Sequence, residues 1–206
     1  MNKILNILLT LLILVTSIKN SNSQEFDNGD IIFHTSLSSQ SELIQAATNS
    51  KLSHVGIVYV KDGKSYVFEA VKPVKLTPLN EWINRGVNGK YRVFRYFNKS
   101  TTGRLTKKEL DKMYEYCLSQ KDKPYDLRFQ WGDDKIYCSE LVWKTYNSVG
   151  IKLCEPKPFS DFNIQSNRIK EEIDRRYGED FVESEPVVSP QCLLECVYLY
   201  EVFNNY

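Results

Sequence analysis

The chain has 206 residues, of which 42% are hydrophobic and 26% are charged. This composition is typical of a globular protein and excludes a disordered or low-complexity chain. Its 27 Lys and Arg residues nearly balance 26 Asp and Glu residues, so the formal net charge of +1 does not indicate a nucleic-acid-binding surface.

The first 23 residues have the three parts of a secretory signal peptide. A short basic start, residues 1–3, precedes an apolar stretch over residues 4–18 and small residues at 21–23. The apolar stretch is shorter than the roughly 20 residues that span a bilayer. We therefore expect cleavage before Gln24, export to the periplasm or the extracellular space, and no stable membrane insertion afterwards. Residues 24–206 are expected to form a single domain.

The pattern along the rest of the chain predicts an α+β fold with an antiparallel sheet. Residues 30–33 are predicted to form a buried strand, and Ser39-Gln40-Ser41-Glu42 has capping-box spacing, which predicts a helix that ends near Ala47. Residues 53–71 form a predicted hairpin with Asp62-Gly63 at its turn. Later predicted elements are a helix over 79–84, a strand over 91–96, a helix over 106–120, a helix between Tyr137 and Gly150, and a strand over 197–203.

Cys138 is the candidate nucleophile because it lies in the first turn of the helix that follows Tyr137. Unpaired main-chain N–H groups and the helix dipole favour a thiolate over a thiol at that position. The same N–H groups could bind an oxyanion. A buried cysteine that packs as a small hydrophobic residue is the alternative, and helix position alone leaves it open.

The predicted hairpin favours His54 over His34 as the base that such a nucleophile needs. With Asp62-Gly63 as the turn, Gly56 pairs with Glu69, and His54 becomes a diagonal neighbour of Glu69 on the same face. Gly56 has no side chain to keep the two apart. A carboxylate beside an imidazole fixes its tautomer and stabilises the imidazolium, as in a catalytic triad. A solvated cross-strand charge pair is the alternative.

Two motifs together carry a resemblance to a known family: Ser53-His54-Val55-Gly56 in a strand and Tyr137-Cys138-Ser139-Glu140-Leu141 at the start of a helix. Matching segments, in the order of the family, are residues 28–33, 52–58, 67–71, 123–126, 137–143 and 186–190. With these the chain resembles the YaeF/YiiX-type permuted papain-like amidases of the NlpC superfamily.

The resemblance implies a circularly permuted papain-like fold with the nucleophile at the N-terminus of a packed helix. It implies Cys138 as nucleophile, His54 as base and Glu69 as the residue that orients the base. The order of these residues in the chain reverses that of papain, as a circular permutation would produce. His34 departs from the glutamine expected in many relatives, so only a substrate contact is assigned to it.

Four further residues are weaker candidates for contacts with the substrate. Tyr125 is a candidate substrate contact, although a turn after Lys123-Pro124 explains it equally well. Trp82, Arg85 and Arg128 could contact an anionic or peptide substrate, or could simply form the rim of the cleft.

The chain has five cysteines, so at least one has no partner within it. If Cys138 stays free, Cys117, Cys154, Cys192 and Cys196 allow three pairings, which an exported context permits, and four buried thiols are the alternative. The spacing of Cys192 and Cys196 fits no standard zinc pattern. We therefore expect no metal and no cofactor.

These observations predict an exported cysteine hydrolase, amidase- or peptidase-like, that cleaves an amide bond through an acyl-enzyme. The expected substrate is a peptide or small molecule, either a cell-wall peptide or an N-acyl conjugate, and no nucleic-acid partner is expected. An acyltransferase or a thioesterase or esterase with the same Cys-His-Glu site is the alternative among enzymes. A non-catalytic binding module on the same fold is a further alternative, against which the three intact residues argue.

Overall fold

A six-stranded antiparallel sheet forms the centre of the fold in the computed structural model, which describes residues 26–100 and 103–206. The predicted signal peptide lies outside the described residues. The strands are β1 (Ile31–His34), β2 (His54–Lys61), β3 (Lys64–Glu69), β4 (Lys75–Pro78), β5 (Arg92–Tyr96), β6 (Lys157–Pro158), β7 (Pro186–Val187) and β8 (Leu199–Asn204). The central sheet has the order β4-β3-β2-β1-β5-β8, and β6 pairs with β7 in a separate ribbon.

Helices pack on both faces of this sheet, which confirms the predicted α+β class. They are α1 (Ser41–Thr48), α2 (Leu79–Asn84), α3 (Lys107–Gln120), α4 (Cys138–Asn147), α5 (Asn167–Tyr177) and α6 (Pro190–Leu194). Short 3-10 turns occupy residues 87–89, 159–161 and 178–180. Within the described ranges, no helix is long and apolar enough to cross a membrane.

Strand β1 is buried at every position because both faces of the sheet are covered. Ile31 and Phe33 pack in the main core with Tyr146 of α4. Ile32 points to the opposite face, where it packs in a second cluster with Trp82 of α2. The alternation along β1 therefore places α4 on one face of the sheet and α2 on the other.

The hairpin of β2 and β3 has the register that the sequence predicts. Asp62 and Gly63 have φ values of 51° and 71°, both in the left-handed region that a two-residue type I′ turn requires. The ladder pairs Ile57 with Phe68. This register determines which side chains meet at the open end of the hairpin.

Helix α1 begins differently from the prediction. Its first residue is Ser41 and no side chain caps it, so the predicted Ser39-Gln40-Ser41-Glu42 capping box is wrong. The Ser41 hydroxyl instead contacts the Ser53 hydroxyl at 2.7 Å between oxygens, in a buried position. That contact ties the start of α1 to the segment before β2.

The sequence pattern does not predict β4, α5, α6 or the β6–β7 ribbon. Strand β4 lies at the edge of the sheet and ends in Pro78, a residue that normally argues against a strand. Helix α5 is rich in charged residues and has only Ile169, Ile173 and Tyr177 as apolar positions. Both elements depend on tertiary packing more than on local pattern.

One disulfide, between Cys154 and Cys192, links the segment after α4 to α6. Cys117, Cys138 and Cys196 are free and buried. Burial raises the pKa of the Cys117 thiol to about 12 and also raises that of Cys196. These two thiols therefore stay protonated and unreactive at neutral pH.

Candidate active site

Cys138 is the first residue of α4 and is only 2% exposed. The N–H groups of the first helical turn lack intrahelical acceptors, so they are available to a negative charge beside the helix end. The Val55 main-chain N–H donates a hydrogen bond to the sulfur. This contact links the start of α4 directly to β2.

The hairpin brings His54, the first residue of β2, against Glu69, the last residue of β3. The distance between His54 Nε2 and Glu69 Oε2 is 2.7 Å. Gly56 lies beside this pair, and a Cβ there would overlap Val67 and come within 2.7 Å of the Phe68 main-chain oxygen. The close approach of the two strands therefore requires glycine at position 56.

Glu69 is completely buried and has two further partners. The Thr77 hydroxyl of β4 donates to Glu69 Oε1 at 2.5 Å, and the Arg85 guanidinium forms an ion pair with the same oxygen. Burial alone would raise the pKa of Glu69, but His54 first, and then Arg85 and Thr77, lower it to about 2. The side chain of Glu69 is therefore a carboxylate at any physiological pH.

His54 joins Glu69 to Cys138. Because Nε2 faces Glu69, the hydrogen bond between His54 and the sulfur uses the other ring nitrogen, Nδ1. Burial alone would lower the pKa of His54, but Cys138 and Glu69 raise it to about 9. Burial alone would raise the pKa of Cys138, but His54 first, and then the Val55 N–H, lower it from its ordinary value. These opposite shifts favour a thiolate beside an imidazolium.

His34 lies behind His54 and is completely buried. Its ring centroid is 3.9 Å from that of Trp82, in a stacked arrangement, and 5.3 Å from that of His54. The predicted substrate contact does not fit this position, because α2 covers the ring. Burial first, and then the charges of His54 and Arg85, lower the pKa of His34 to about 2, so it stays neutral. The ring instead supports His54 from behind.

Tyr125 is half-buried, and its hydroxyl interacts electrostatically with the sulfur of Cys138. Main-chain hydrogen bonds hold its segment beside the start of α4: Ile136 N–H donates to the Pro124 oxygen, and Asp126 N–H donates to the Ile136 oxygen. Burial and the charge of Cys138 raise the pKa of Tyr125 well above 10. The hydroxyl therefore keeps its proton and is an available donor beside the sulfur.

Among the weaker candidates, Arg85 and Trp82 have structural roles that the sequence did not reveal. Arg85 neutralises Glu69, and Trp82 covers His34. The partnership of Arg85 was missed because Thr77 and Arg85 reach Glu69 through β4 and the end of α2, whose positions relative to the hairpin depend on tertiary packing. Arg128 pairs with Asp180, away from these groups.

The chain matches a known protein family over most of its length. Residues 25–203 match the family described as permuted papain-like amidase enzyme, YaeF/YiiX, C92 family. The chain is 41% identical over 179 residues to the uncharacterized protein YiiX of Escherichia coli strain K12, covering 86% of each protein. A crystal structure described as metalloprotein yiiX from Escherichia coli O157:H7 is similar with a TM-score of 0.81 at 40% identity, covering 87% of this chain and 98% of that one.

The His54–Glu69 contact predicts how the reactivity of Cys138 responds to Glu69→Gln. The variant keeps a hydrogen-bonding group but loses the charge that holds the pKa of His54 near 9. With less imidazolium beside it, the thiol pKa should rise toward its ordinary value of about 8.5. Iodoacetamide labelling of Cys138, followed by mass spectrometry between about pH 5 and pH 10, should show a slower rate at neutral pH.

Glu201→Gln is the matched control, because Glu201 is a surface carboxylate that pairs with Arg92 and lies on β8, at the opposite edge of the sheet from β4. It should leave the labelling profile unchanged. Identical profiles for wild type and Glu69→Gln would contradict a role for Glu69 and leave a dyad of Cys138 and His54.

Proposed function

The chain belongs to the permuted papain-like amidase family, and on this basis we propose that it is an exported cysteine amidase that works through an acyl-enzyme. The observation that carries the proposal is the arrangement of Cys138 at the start of α4 with His54, whose ring is held by the buried Glu69 at 2.7 Å. A cysteine activated in this way is a nucleophile that attacks carbonyl carbon.

In the first step the Cys138 thiolate attacks the carbonyl carbon of an amide, and a bond forms between sulfur and carbon. The negative charge moves to the carbonyl oxygen. The N–H groups at the start of α4 and the protonated Tyr125 hydroxyl are the donors available to that oxygen. His54 then gives its proton to the nitrogen as the carbon–nitrogen bond breaks, and the amine leaves.

In the second step water hydrolyses the thioester. Neutral His54 removes a proton from water, the oxygen attacks the acyl carbon, and the carbon–sulfur bond breaks. The carboxylic acid leaves and the thiolate is restored beside the imidazolium. Glu69 stabilises the charged ring in both steps and fixes its orientation through Nε2.

No step in this mechanism passes through a metal. The similar protein from Escherichia coli O157:H7 is described as a metalloprotein. In the part of this chain that the structure describes, no three His, Cys, Asp or Glu side chains are grouped so as to hold a metal ion. His54 Nε2 is already engaged by Glu69, and Cys192 is in the disulfide.

The nucleophile assignment predicts the outcome of Cys138→Ser. Wild-type protein incubated with amide, ester and thioester pools should gain the mass of an acyl group on Cys138, whereas Cys138→Ser should show neither acylation nor turnover, because a serine hydroxyl is not ionised by His54 at neutral pH. Intact mass spectrometry measures both. Acylation from esters or thioesters alone would favour the thioesterase or acyltransferase alternative over the amidase.

Cys117→Ser is the matched control for this experiment. The Cys117 sulfur lies 3.4 Å from the Thr145 hydroxyl, so a serine there would keep a hydrogen-bond partner. This variant should be acylated as wild type is. Wild-type turnover by Cys138→Ser would refute the mechanism.

The donor role of Tyr125 predicts that Tyr125→Phe lowers kcat by roughly a hundred- to a thousandfold, the usual effect of removing one oxyanion donor. The rate of iodoacetamide labelling should change little, because His54 is the main stabiliser of the thiolate. Tyr198→Phe, at an exposed tyrosine, is the control. Unchanged kcat in Tyr125→Phe would remove the hydroxyl from the reaction.

Export is supported by the signal-like N-terminus and by the Cys154–Cys192 disulfide, because disulfides persist in oxidising compartments. Protein expressed from the full sequence should be recovered outside the cytoplasm with its N-terminus near Gln24. Denatured without reductant, it should show three free thiols, and five after reduction. Full-length cytoplasmic protein with five free thiols would contradict export.

A further inference from the structure

The side chains on either side of Cys138 are bound to one residue of another segment. The Ser139 hydroxyl donates a hydrogen bond to the Val188 main-chain oxygen, with 2.7 Å between the oxygens. The Val188 main-chain N–H donates to the Tyr137 hydroxyl at 3.1 Å. Val188 therefore holds both the residue before the nucleophile and the residue after it.

These two hydrogen bonds are shielded from water. Tyr137, Ser139 and Val188 are each at most 2% exposed. A buried polar group that loses its partner has no water to replace it, so breaking either bond carries the full cost of leaving that group unsatisfied. The attachment of α4 to Val188 is therefore held in one geometry.

The segment that carries Val188 is itself anchored at both ends. We call residues 186–192 the clasp. At its start, β7 pairs with β6. At its end, the Ser189 hydroxyl caps α6 by accepting from the Cys192 N–H at 3.0 Å, and Cys192 forms the disulfide with Cys154. Because both ends are fixed to the segment that follows α4, the clasp can resist a movement of the helix start.

The chain of contacts closes on α4 itself. The Trp143 Nε1–H group of α4 donates to the Cys154 main-chain oxygen at 2.7 Å. The same body of structure thus binds α4 at its start, through Val188, and one turn later, through Trp143. A rotation of the helix about its axis would strain both attachments.

The proposed reaction needs such a restraint because its groups lie on different elements. The sulfur is on α4 and the imidazole of His54 is on β2. A small shift of the first turn of α4 would change the distance from sulfur to imidazole and the direction of the N–H donors. Reacting groups must be held within about 0.5 Å and roughly 10–20° of the productive geometry. Contacts at both neighbours of Cys138 restrict this movement most directly.

Ser139 could instead act on the sulfur directly. Burial raises the pKa of Cys138, and His54 and then the Val55 N–H lower it, with a smaller lowering by Ser139. A serine hydroxyl has only one proton to donate, and that proton goes to the Val188 oxygen. The geometry therefore favours an effect of Ser139 through position over a hydrogen bond to the sulfur.

We propose that Ser139 is a positioning residue for Cys138 and that it acts, together with Tyr137, through Val188. This inference rests on the proposed function and specifies what holds its nucleophile in place. The two hydroxyl groups fix the first turn of α4 to the clasp. The sulfur and the N–H donors thereby keep their orientation toward His54 and toward the carbonyl group of a substrate.

The first test removes the Ser139 hydroxyl and measures two reactions of Cys138. Alkylation by iodoacetamide requires the thiolate, whereas acylation by p-nitrophenyl acetate also requires the N–H donors, because an oxyanion forms on the ester. Ser139→Ala should lower the second-order rate of acylation by up to about a hundredfold, the effect of misplacing a reacting group by about 1 Å. The pH profile of alkylation should move to higher pH, because a sulfur displaced from His54 is less ionised.

Ser139→Thr keeps the hydroxyl and should restore both reactions. Wild-type rates of acylation and alkylation in Ser139→Ala would overturn the proposal.

Two matched controls remove hydroxyl groups near the far end of α4. The Ser148 hydroxyl donates to the Thr145 main-chain oxygen at 2.7 Å, and the Tyr146 hydroxyl donates to the Gly29 main-chain oxygen at 2.6 Å. Ser148→Ala and Tyr146→Phe should lower the melting temperature without changing the acylation rate or the alkylation profile. If Tyr146→Phe changes them as Ser139→Ala does, the role of Ser139 is general stability and the proposal is wrong.

The second test asks whether Tyr137 and Ser139 act through the same residue. Tyr137→Phe removes the acceptor of the Val188 N–H and should lower the acylation rate as Ser139→Ala does. The double variant should lose less than the product of the two single losses, because either change alone loosens the attachment to Val188. A loss equal to that product would show that the two side chains act independently, which would refute the shared path.

The proposed function is tested separately with the amide pool, so the two failures are distinguishable. Slower acylation of Ser139→Ala by p-nitrophenyl acetate, without cleavage of any amide by wild type, would support the positioning role and refute the amidase. Equal amide cleavage by wild type and Ser139→Ala would support the amidase and refute the positioning role.

Discussion

The active-site arrangement depends on one buried carboxylate. A fully buried Glu69 is costly to the fold unless its charge is paired and its oxygens are hydrogen-bonded. His54, Thr77 and Arg85 supply those partners from β2, β4 and the end of α2. The edge of the sheet and α2 are thus held in place by the same carboxylate that contacts His54.

The two buried histidines lie close together, but their pKa values differ because their neighbours differ. Their ring centroids are 5.3 Å apart, yet the pKa of His54 is raised to about 9 and that of His34 is lowered to about 2. Both rings are buried, so burial lowers the pKa of both. Only His54 has a carboxylate and a thiolate beside it, whereas His34 stacks on Trp82. A neutral ring behind a charged one avoids repulsion between two buried cations.

The parts of the site that follow local rules were predictable. The two-residue turn sets the register that brings His54 to Glu69, and helix position places Cys138 where N–H groups are free. The position of His34 was not predictable, because its burial depends on α2 folding over the sheet. Helix α5 was missed because only Ile169, Ile173 and Tyr177 are apolar among its eleven residues. Such a helix lacks the apolar content by which sequence patterns reveal buried faces.

The order of the site residues along the chain has a consequence for when the protein becomes reactive. His54 and Glu69 lie on one hairpin, whose contacts are short-range and form early, whereas Cys138 joins them only when α4 docks on the sheet. Until then its thiol has the ordinary pKa of about 8.5 and is mostly protonated at neutral pH. The unfolded chain therefore has a cysteine of ordinary reactivity. Completion of the tertiary structure acts as the activation step, without any covalent change to the polypeptide.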